Sequence, residues 1–378
     1  MSKTSLAPAT SRVASSALAT TVAQDTLLVG LDWGTNISSL HAARADSTEL
    51  TVQEQIPTVV GYALDNVLDG ILPGNAKLLV GKLAQKHRQH MRVVRPLRGG
   101  VIAEREAARD FARYLRTRLP ENATDIRAVI GMPASSDLAA RENARNAVHG
   151  VFSKVIFVPE PFLAALGYRD EERLTDPDYQ DPVLNSLYID IGAGSTDVCL
   201  VQGRYPTVNE QLSIPFAGDA VDQLILDAAL AAYPDSGLTL AKVREVKEKN
   251  AFVMSDEGQP AAIATVMIGG KPHKIDLTTQ IEAACEVLLQ KVFEMTRELI
   301  GRADADTVGE LLQSVIVTGG GSLIRGFGVA LQTKLLEDGF ENPRVRCLGQ
   351  NYKDYVARGA LKTARQAQER HWQNVITN

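Results

Sequence analysis

Three short glycine-bearing turns, each entered by an apolar run, constrain this chain more than anything else in it. They read LLVGLDWGT over residues 27–35, LYIDIGAGSTD over 187–197 and VIVTGGGSLIRG over 315–326. Each run has the look of a buried strand, and each ends where a backbone must come close to something. The first two turns also place an acid, Asp32 and Asp190, two residues before a glycine. A repeated strand–Asp–x–Gly turn predicts two similar half-molecules closing on one phosphate-bearing ligand. The third turn, which lacks an acid, is expected to hold that ligand's other end.

Between the turns, short strand-like runs alternate with longer helical ones, as in an α/β protein. Residues 103–119 form an amphipathic pattern with Ala107, Phe111, Leu115 and Leu119 on one face. Acids sit at its start and arginines at its end, the polarity a helix dipole favours. Further helices are expected over 137–148, 219–232, 241–250 and 281–300, and from about residue 354. A hairpin is expected over 261–276 with Gly269 and Gly270 at its tip. The acid- and proline-bearing stretch 170–182 reads as a surface connection between halves.

Composition excludes several classes. A chain of 378 residues that is 45% hydrophobic can bury two cores. Its net charge of -5 gives no general reason to expect nucleic acid as a partner. No apolar stretch approaches the ~20 residues that cross a bilayer. Cys199, Cys285 and Cys347 are scattered and odd in number, so neither a disulfide framework nor a zinc site is implied. Residues 1–25, rich in Ser, Thr and Ala, read as a disordered tail.

Backbone amides in a glycine turn make a concave anion site without a basic side chain. An aspartate at the end of the preceding strand would repel a bare phosphate, so a divalent cation is expected between them. Mg²⁺, held largely through water, suits that place. Asp32 and Asp190 are the expected metal and water holders. Gly34, Thr35, Gly192, Gly194, Ser195 and Thr196 would supply amides and hydroxyls to the phosphates. No GxxxxGK[ST] loop, dinucleotide fingerprint, nucleophile elbow or HExxH is found.

With these motifs in view, the chain is identified as a member of the actin superfamily, whose fold is shared by actin, bacterial filament actins, sugar kinases and chaperone ATPases. Asp32-Trp33-Gly34-Thr35 resembles its first phosphate motif, residues 190–197 its second, and Thr318-Gly319-Gly320-Gly321 its adenosine motif. VPEPFLAALG (158–167) and YVARGAL (355–361) resemble the two connections between halves, and RPLRGGVIAE (95–104) is especially similar to bacterial filament actins. The resemblance implies two similar actin-like, ribonuclease H-like domains with four subdomains around a nucleotide cleft. Domain I would comprise 26–183 with 351–378, carrying a small insertion at about 56–93. Domain II would comprise 184–350, with an insertion at about 219–300.

The resemblance also implies ATP or ADP with Mg²⁺ as ligands and Glu160 as the group positioning the attacking water, with Asp32 and Asp190 beside it. Lys247 and Glu248 would contact the ribose. Asn36, Ala193, Gly319, Gly320, Gly321 and Leu323 would complete the nucleotide's surroundings. Actin's lysine seven positions after the first aspartate is replaced by Ser39, as is common in the bacterial filament branch. Few residues follow the second connection, which leaves no room for a chaperone's peptide-binding domain. The expected function is an ATP-hydrolysing cytoplasmic filament, its partner being itself and adaptor proteins. Within the branch, it is most similar to the actins that align magnetosomes, with cell-shape actins next. A membrane adaptor and a small-molecule kinase stand as alternatives.

Overall fold

The computed structural model describes residues 26–134, 136–254 and 261–375. The expected tail at 1–25 lies outside them. The chain opens with β1 (Thr26–Asp32), whose apolar side chains are buried on both faces, as the centre of a covered sheet requires. It continues into β2 (Ile37–Arg44) and β3 (Val52–Pro57), each antiparallel to its predecessor. A small cap follows, built from β4 (Val60–Ala63), β5 (Leu78–Val80), α1 (Lys82–Lys86) and β6 (Met91–Val94). Val59, Leu72, Leu79, Ala84 and Met91 give this cap a small core of its own.

A two-residue-a-side hairpin, β7 (Leu97–Arg98) and β8 (Val101–Ile102), then leads to α2 (Arg105–Arg118). On α2, Ala107, Phe111 and Leu115 are buried, as the four-residue spacing predicts. Past its C-terminus, the Arg116 guanidinium donates to the carbonyls of Pro120, Glu121 and Ala123, which fixes the exit of the chain. β9 (Asp125–Met132) runs parallel to β1, and α3 (Leu138–Ala147) starts at Asp137, whose carboxylate accepts from the Ala140 N–H. β10 (Lys154–Pro159) runs parallel to β9 and passes directly into α4 (Glu160–Tyr168).

The second half repeats the plan. β11 (Ser186–Ile191), β12 (Thr196–Val201) and β13 (Gln211–Ile214) form an antiparallel meander. Next come α5 (Gly218–Ala232), α6 (Leu240–Asn250), the hairpin β14 (Ile263–Ile268) and β15 (Lys271–Asp276), then α7 (Thr278–Ile300) and α8 (Val308–Leu312). β16 (Val315–Thr318) lies parallel to β11, and after α9 (Phe327–Glu337), β17 (Val345–Cys347) lies parallel to β16. The chain returns to the first half as α10 (Tyr352–Gln366), and β18 (Gln373–Asn374) pairs with β10.

The two main sheets therefore share one layout. The first runs β3-β2-β1-β9-β10, with β18 added at its edge, and the second runs β13-β12-β11-β16-β17. In each, the first three strands alternate and the last two run parallel to the central one. The halves differ in how their insertions attach. The first cap has a small cluster of its own and joins the main core only through Val60 and Val80 and their neighbours, whereas α5, α6 and the β14–β15 hairpin share a continuous core with β11 and β12.

The crossovers α4 and α10 meet backbone to backbone. A Cβ on Gly167 would lie 1.8 Å from the Tyr355 carbonyl oxygen, and one on Gly359 would lie 1.9 Å from that of Leu163. Only glycine permits so close an approach. The connection after α4 is less superficial than its composition suggests. Asp181 is buried and accepts two hydrogen bonds through Oδ2 from the Arg169 guanidinium, at 2.6 and 3.0 Å.

Candidate functional site

A cavity of about 460 Å³ opens between the halves, at the carboxyl ends of β1 and β11. Asp32, Gly34, Thr35 and Asn36 line it from the first turn, and Asp190, Gly192, Ala193, Gly194 and Ser195 from the second. Gly319, Gly320, Gly321 and Leu323 line it from the third turn, Lys247 and Glu248 from α6, and Glu160 from the start of α4. Thr196 is the exception among the residues expected here. It is fully buried in β12, and its hydroxyl donates to the Phe216 carbonyl at 2.7 Å, so it braces the sheet rather than facing the cavity.

The two acidic turns stand close together. A Cβ on Gly194 would meet Thr35 Oγ1 at 2.5 Å and the backbone nitrogens of Gly99 and Gly100 at 2.8 and 2.9 Å. The same Thr35 hydroxyl accepts the Gly100 N–H at 3.0 Å. The β7–β8 hairpin of the RPLRGG stretch thus inserts its glycine tip between the turns. The third turn is fitted to the second in the same way. Gly319 has φ 75°, and a Cβ there would lie 2.3 Å from Asp190 Oδ1. No other residue type fits that conformation and space.

Acidity is concentrated at the floor. Burial pushes the Asp32 carboxyl up to about 7. Glu160 rises well above the usual carboxylate range, first through burial and then through Asp32, Asp197 and Asp190. Asp190 is raised by burial and by Asp32 and Asp197. A set of acids that suppress one another's ionisation is a set that a cation would relieve. Among the described residues no group of three or more His, Cys, Asp or Glu is arranged to hold a metal ion directly. That donor set fits a hydrated Mg²⁺, which needs only one or two carboxylates and keeps its waters.

The wall opposite carries charges of both signs, internally paired. Asp222 is fully buried, with the Arg244 Nε donating to Oδ2 at 2.6 Å and Lys247 Nζ 2.7 Å from Oδ1. Arg244 also donates to Asp219 at 2.5 Å, and Lys247 to the Gly218 carbonyl at 3.0 Å. The Asp219 and Gly218 amides donate to the Ala193 and Gly192 carbonyls at 2.7 and 3.2 Å. The second turn is therefore suspended from this ion-pair lattice. Glu248 remains exposed beside it.

Sequence reading missed Asp222 and Arg244, although their charges stood in AGDAVD and KVREVKEK. It also missed Tyr352, at the start of α10, which lines the cavity with its phenol pushed up to about 12 by burial and by Asp190, Glu248 and Asp32. Ser39 lines the cavity too, and donates to the Lys353 carbonyl at 2.7 Å. Trp33 turns away from the cavity, buried with its ring stacked on Phe111 at 6.2 Å between centroids.

Two equivalent five-strand sheets, joined by crossing helices and opening a cleft between facing glycine turns, define the actin-like fold. Within it, the chain belongs to the MreB/Mbl protein family, whose model matches residues 29–368. Among characterised proteins it is 28% identical to the actin-like protein MamK of Paramagnetospirillum magneticum (strain ATCC 700264 / AMB-1) over 361 residues, covering 93% of this chain and 96% of that one. Among solved structures it is similar to a MamK double helical filament, with TM-score 0.79 and 28% identity over 91% of this chain and 100% of that one. A non-polymerising MamK mutant bound to AMPPNP superposes with TM-score 0.63 and 27% identity, covering 90% and 99%. Among the described residues no helix is long and apolar enough to cross a membrane.

Proposed function

We propose that this chain binds ATP with Mg²⁺ between its halves, hydrolyses it, and polymerises head to tail into a cytoplasmic cytoskeletal filament. The observation that carries the reading is the facing pair of acidic glycine turns on equivalent strands, with Glu160 between them at the cavity floor. The similarity to the MamK filament and to the AMPPNP-bound mutant supports it. In a cell such a filament would position an organelle such as a magnetosome, together with adaptor proteins.

Domain I (26–183 with 351–378) and domain II (184–350) are the two jaws. Amides and hydroxyls of Gly34, Thr35, Asn36, Gly192, Ala193, Gly194 and Ser195 face the phosphates. Gly319, Gly320, Gly321 and Leu323 hold the adenosine end, with Glu248 accepting from the ribose. Lys247, anchored on Asp222, acts there by holding the wall in place. Asp32 and Asp190 would hold a magnesium ion through its waters, and the ion would supply charge to offset that of the triphosphate. Glu160 orients the attacking water. Phosphoryl transfer asks little more of a protein than such alignment and charge stabilisation. Contact with both turns favours the closed form, and closure shapes the ends for a heterologous contact that propagates.

Pelleting the purified chain with and without ATP and magnesium, followed by electron microscopy and phosphate release, tests this reading. ATP-dependent filaments with phosphate release are expected. A membrane adaptor would bind nucleotide yet stay in the supernatant, and a small-molecule kinase would phosphorylate a metabolite as a monomer or dimer. Either result would overturn the filament reading.

A further inference from the structure

Beneath the phosphate turns, the halves are fastened by a carboxylate that the nucleotide reading leaves without a task. Asp197 on β12 is 1% exposed and does not line the cavity. Its Oδ1 accepts the Ala134 N–H at 2.7 Å, and its Oδ2 accepts the Ser195 hydroxyl at 2.8 Å. Ser213 stands opposite it in the β12–β13 register. Ala134 lies two residues past the end of β9 in the first half, whereas Ser195 belongs to the second.

Each end of this tie reaches the site. Ser195 lines the cavity within the second turn. On the other side, Ala134 anchors the strand end whose Gly131 packs under Glu160: a Cβ on Gly131 would lie 3.0 Å from Glu160 Cγ. Hydrogen bonds within a buried network are strengthened by their low-dielectric surroundings, and they are directional. A shift of one half against the other would have to stretch them.

We propose that Asp197 is a positioning residue that clamps the second phosphate turn to the strand behind Glu160, and so holds the cleft closed on its nucleotide. The inference rests on the nucleotide-site reading above. When the cleft opens, the Ala134 bond is the one that breaks, because its two partners belong to different halves. Losing it weakens the closed state, so nucleotide leaves faster and turnover falls together with it.

The test is stopped-flow dissociation of a fluorescent ATP analogue from the full-length chain with magnesium, alongside steady-state phosphate release. Asp197→Ala is expected to speed dissociation by roughly tenfold, the size of losing one hydrogen bond to a charged group. Asp197→Asn keeps an oxygen for the Ala134 N–H, and the Ser195 hydroxyl can rotate to accept from its amide. It is expected to stay within about threefold of the parent. Lower thermal stability with unchanged dissociation, or equal acceleration in both variants, overturns the proposal. Should the alanine variant fail to fold, hydrogen exchange at the Ala134 amide of the parent is expected to slow when nucleotide is bound, and equal exchange with and without nucleotide overturns the proposal equally. A parent protein that binds no nucleotide would instead bring down the site reading itself.

Discussion

The two phosphate turns occupy equivalent places on equivalent strands and each has an apolar residue beneath it, yet only the second is also braced by charge. The first is supported from beneath by Trp33, buried and stacked on Phe111 in the core of its half. The second has Ile191 at that place, also buried in the core of its half, and is in addition hung by its carbonyls from the start of α5, which the Asp222–Arg244–Lys247 lattice fixes. Packing is short-ranged and tolerant of polar surroundings. A buried ion-pair lattice is stiff, but it fails badly when one member is missing. One frame can thus carry the same turn on an apolar footing alone or on one with a charged brace added.

Substitutions that remove each footing give the largest expected effects. Trp33→Ala should cost about 3–5 kcal/mol through the cavity it leaves, and Trp33→Phe should recover much of that. Asp222→Ala should cost about 3–5 kcal/mol by stranding Arg244 and Lys247, with no recovery in the isosteric Asp222→Asn. Chemical denaturation with and without nucleotide measures both. Equal rescue by the two conservative variants would erase the contrast between the turns.

Next in size is Glu160→Ala. Phosphate release should slow by about 100-fold while nucleotide affinity and pelleting persist. Normal release in that variant would remove Glu160 from the water-positioning role.

A smaller effect concerns pH. The Asp32 carboxyl is pushed up to about 7 in the folded chain against 3.8 for its ordinary value, so the native state holds that proton more tightly than the unfolded one. Stability without ligand should therefore be greatest at low pH within that window and fall as pH rises from about 4 to 7, by at most about 1.4 kcal/mol per unit from this group. Thermal melts of the parent and Asp32→Asn across the window check it: the slope should flatten in the variant, and magnesium with ATP should flatten it in the parent.

The smallest effect separates bracing from binding. Thr196→Val should cost about 1–2 kcal/mol of stability by orphaning the Phe216 carbonyl, with little change in nucleotide affinity. A large affinity loss would return Thr196 to the phosphate site.

The legible parts of this molecule were those with local causes. The strand–Asp–x–Gly turns, the face of α2 and the glycine-tipped β14–β15 hairpin follow from spacing alone, and they appear where the pattern puts them. Thr196 misled because alternation along a strand decides which side a residue faces, and one step past Ser195 the chain has already entered β12. Asp222 and Arg244 were hidden for another reason. Their pairing joins α5 to α6, and a charged helix reads as solvated until its neighbour is known. Asp181 and Arg169 were hidden likewise inside an acidic stretch that looked superficial.

The glycine crossing of α4 and α10 has a mechanical corollary. At the crossing point the two rods touch at bare main chain, so a change in the angle between them turns about a fixed point while the side chains on either side, Tyr168 against Tyr355 among them, re-pack. Small rotations there are delivered undiminished to the outer ends of both lobes. A single methyl at Gly167 or Gly359 would separate the rods and turn a pivot into a wedge.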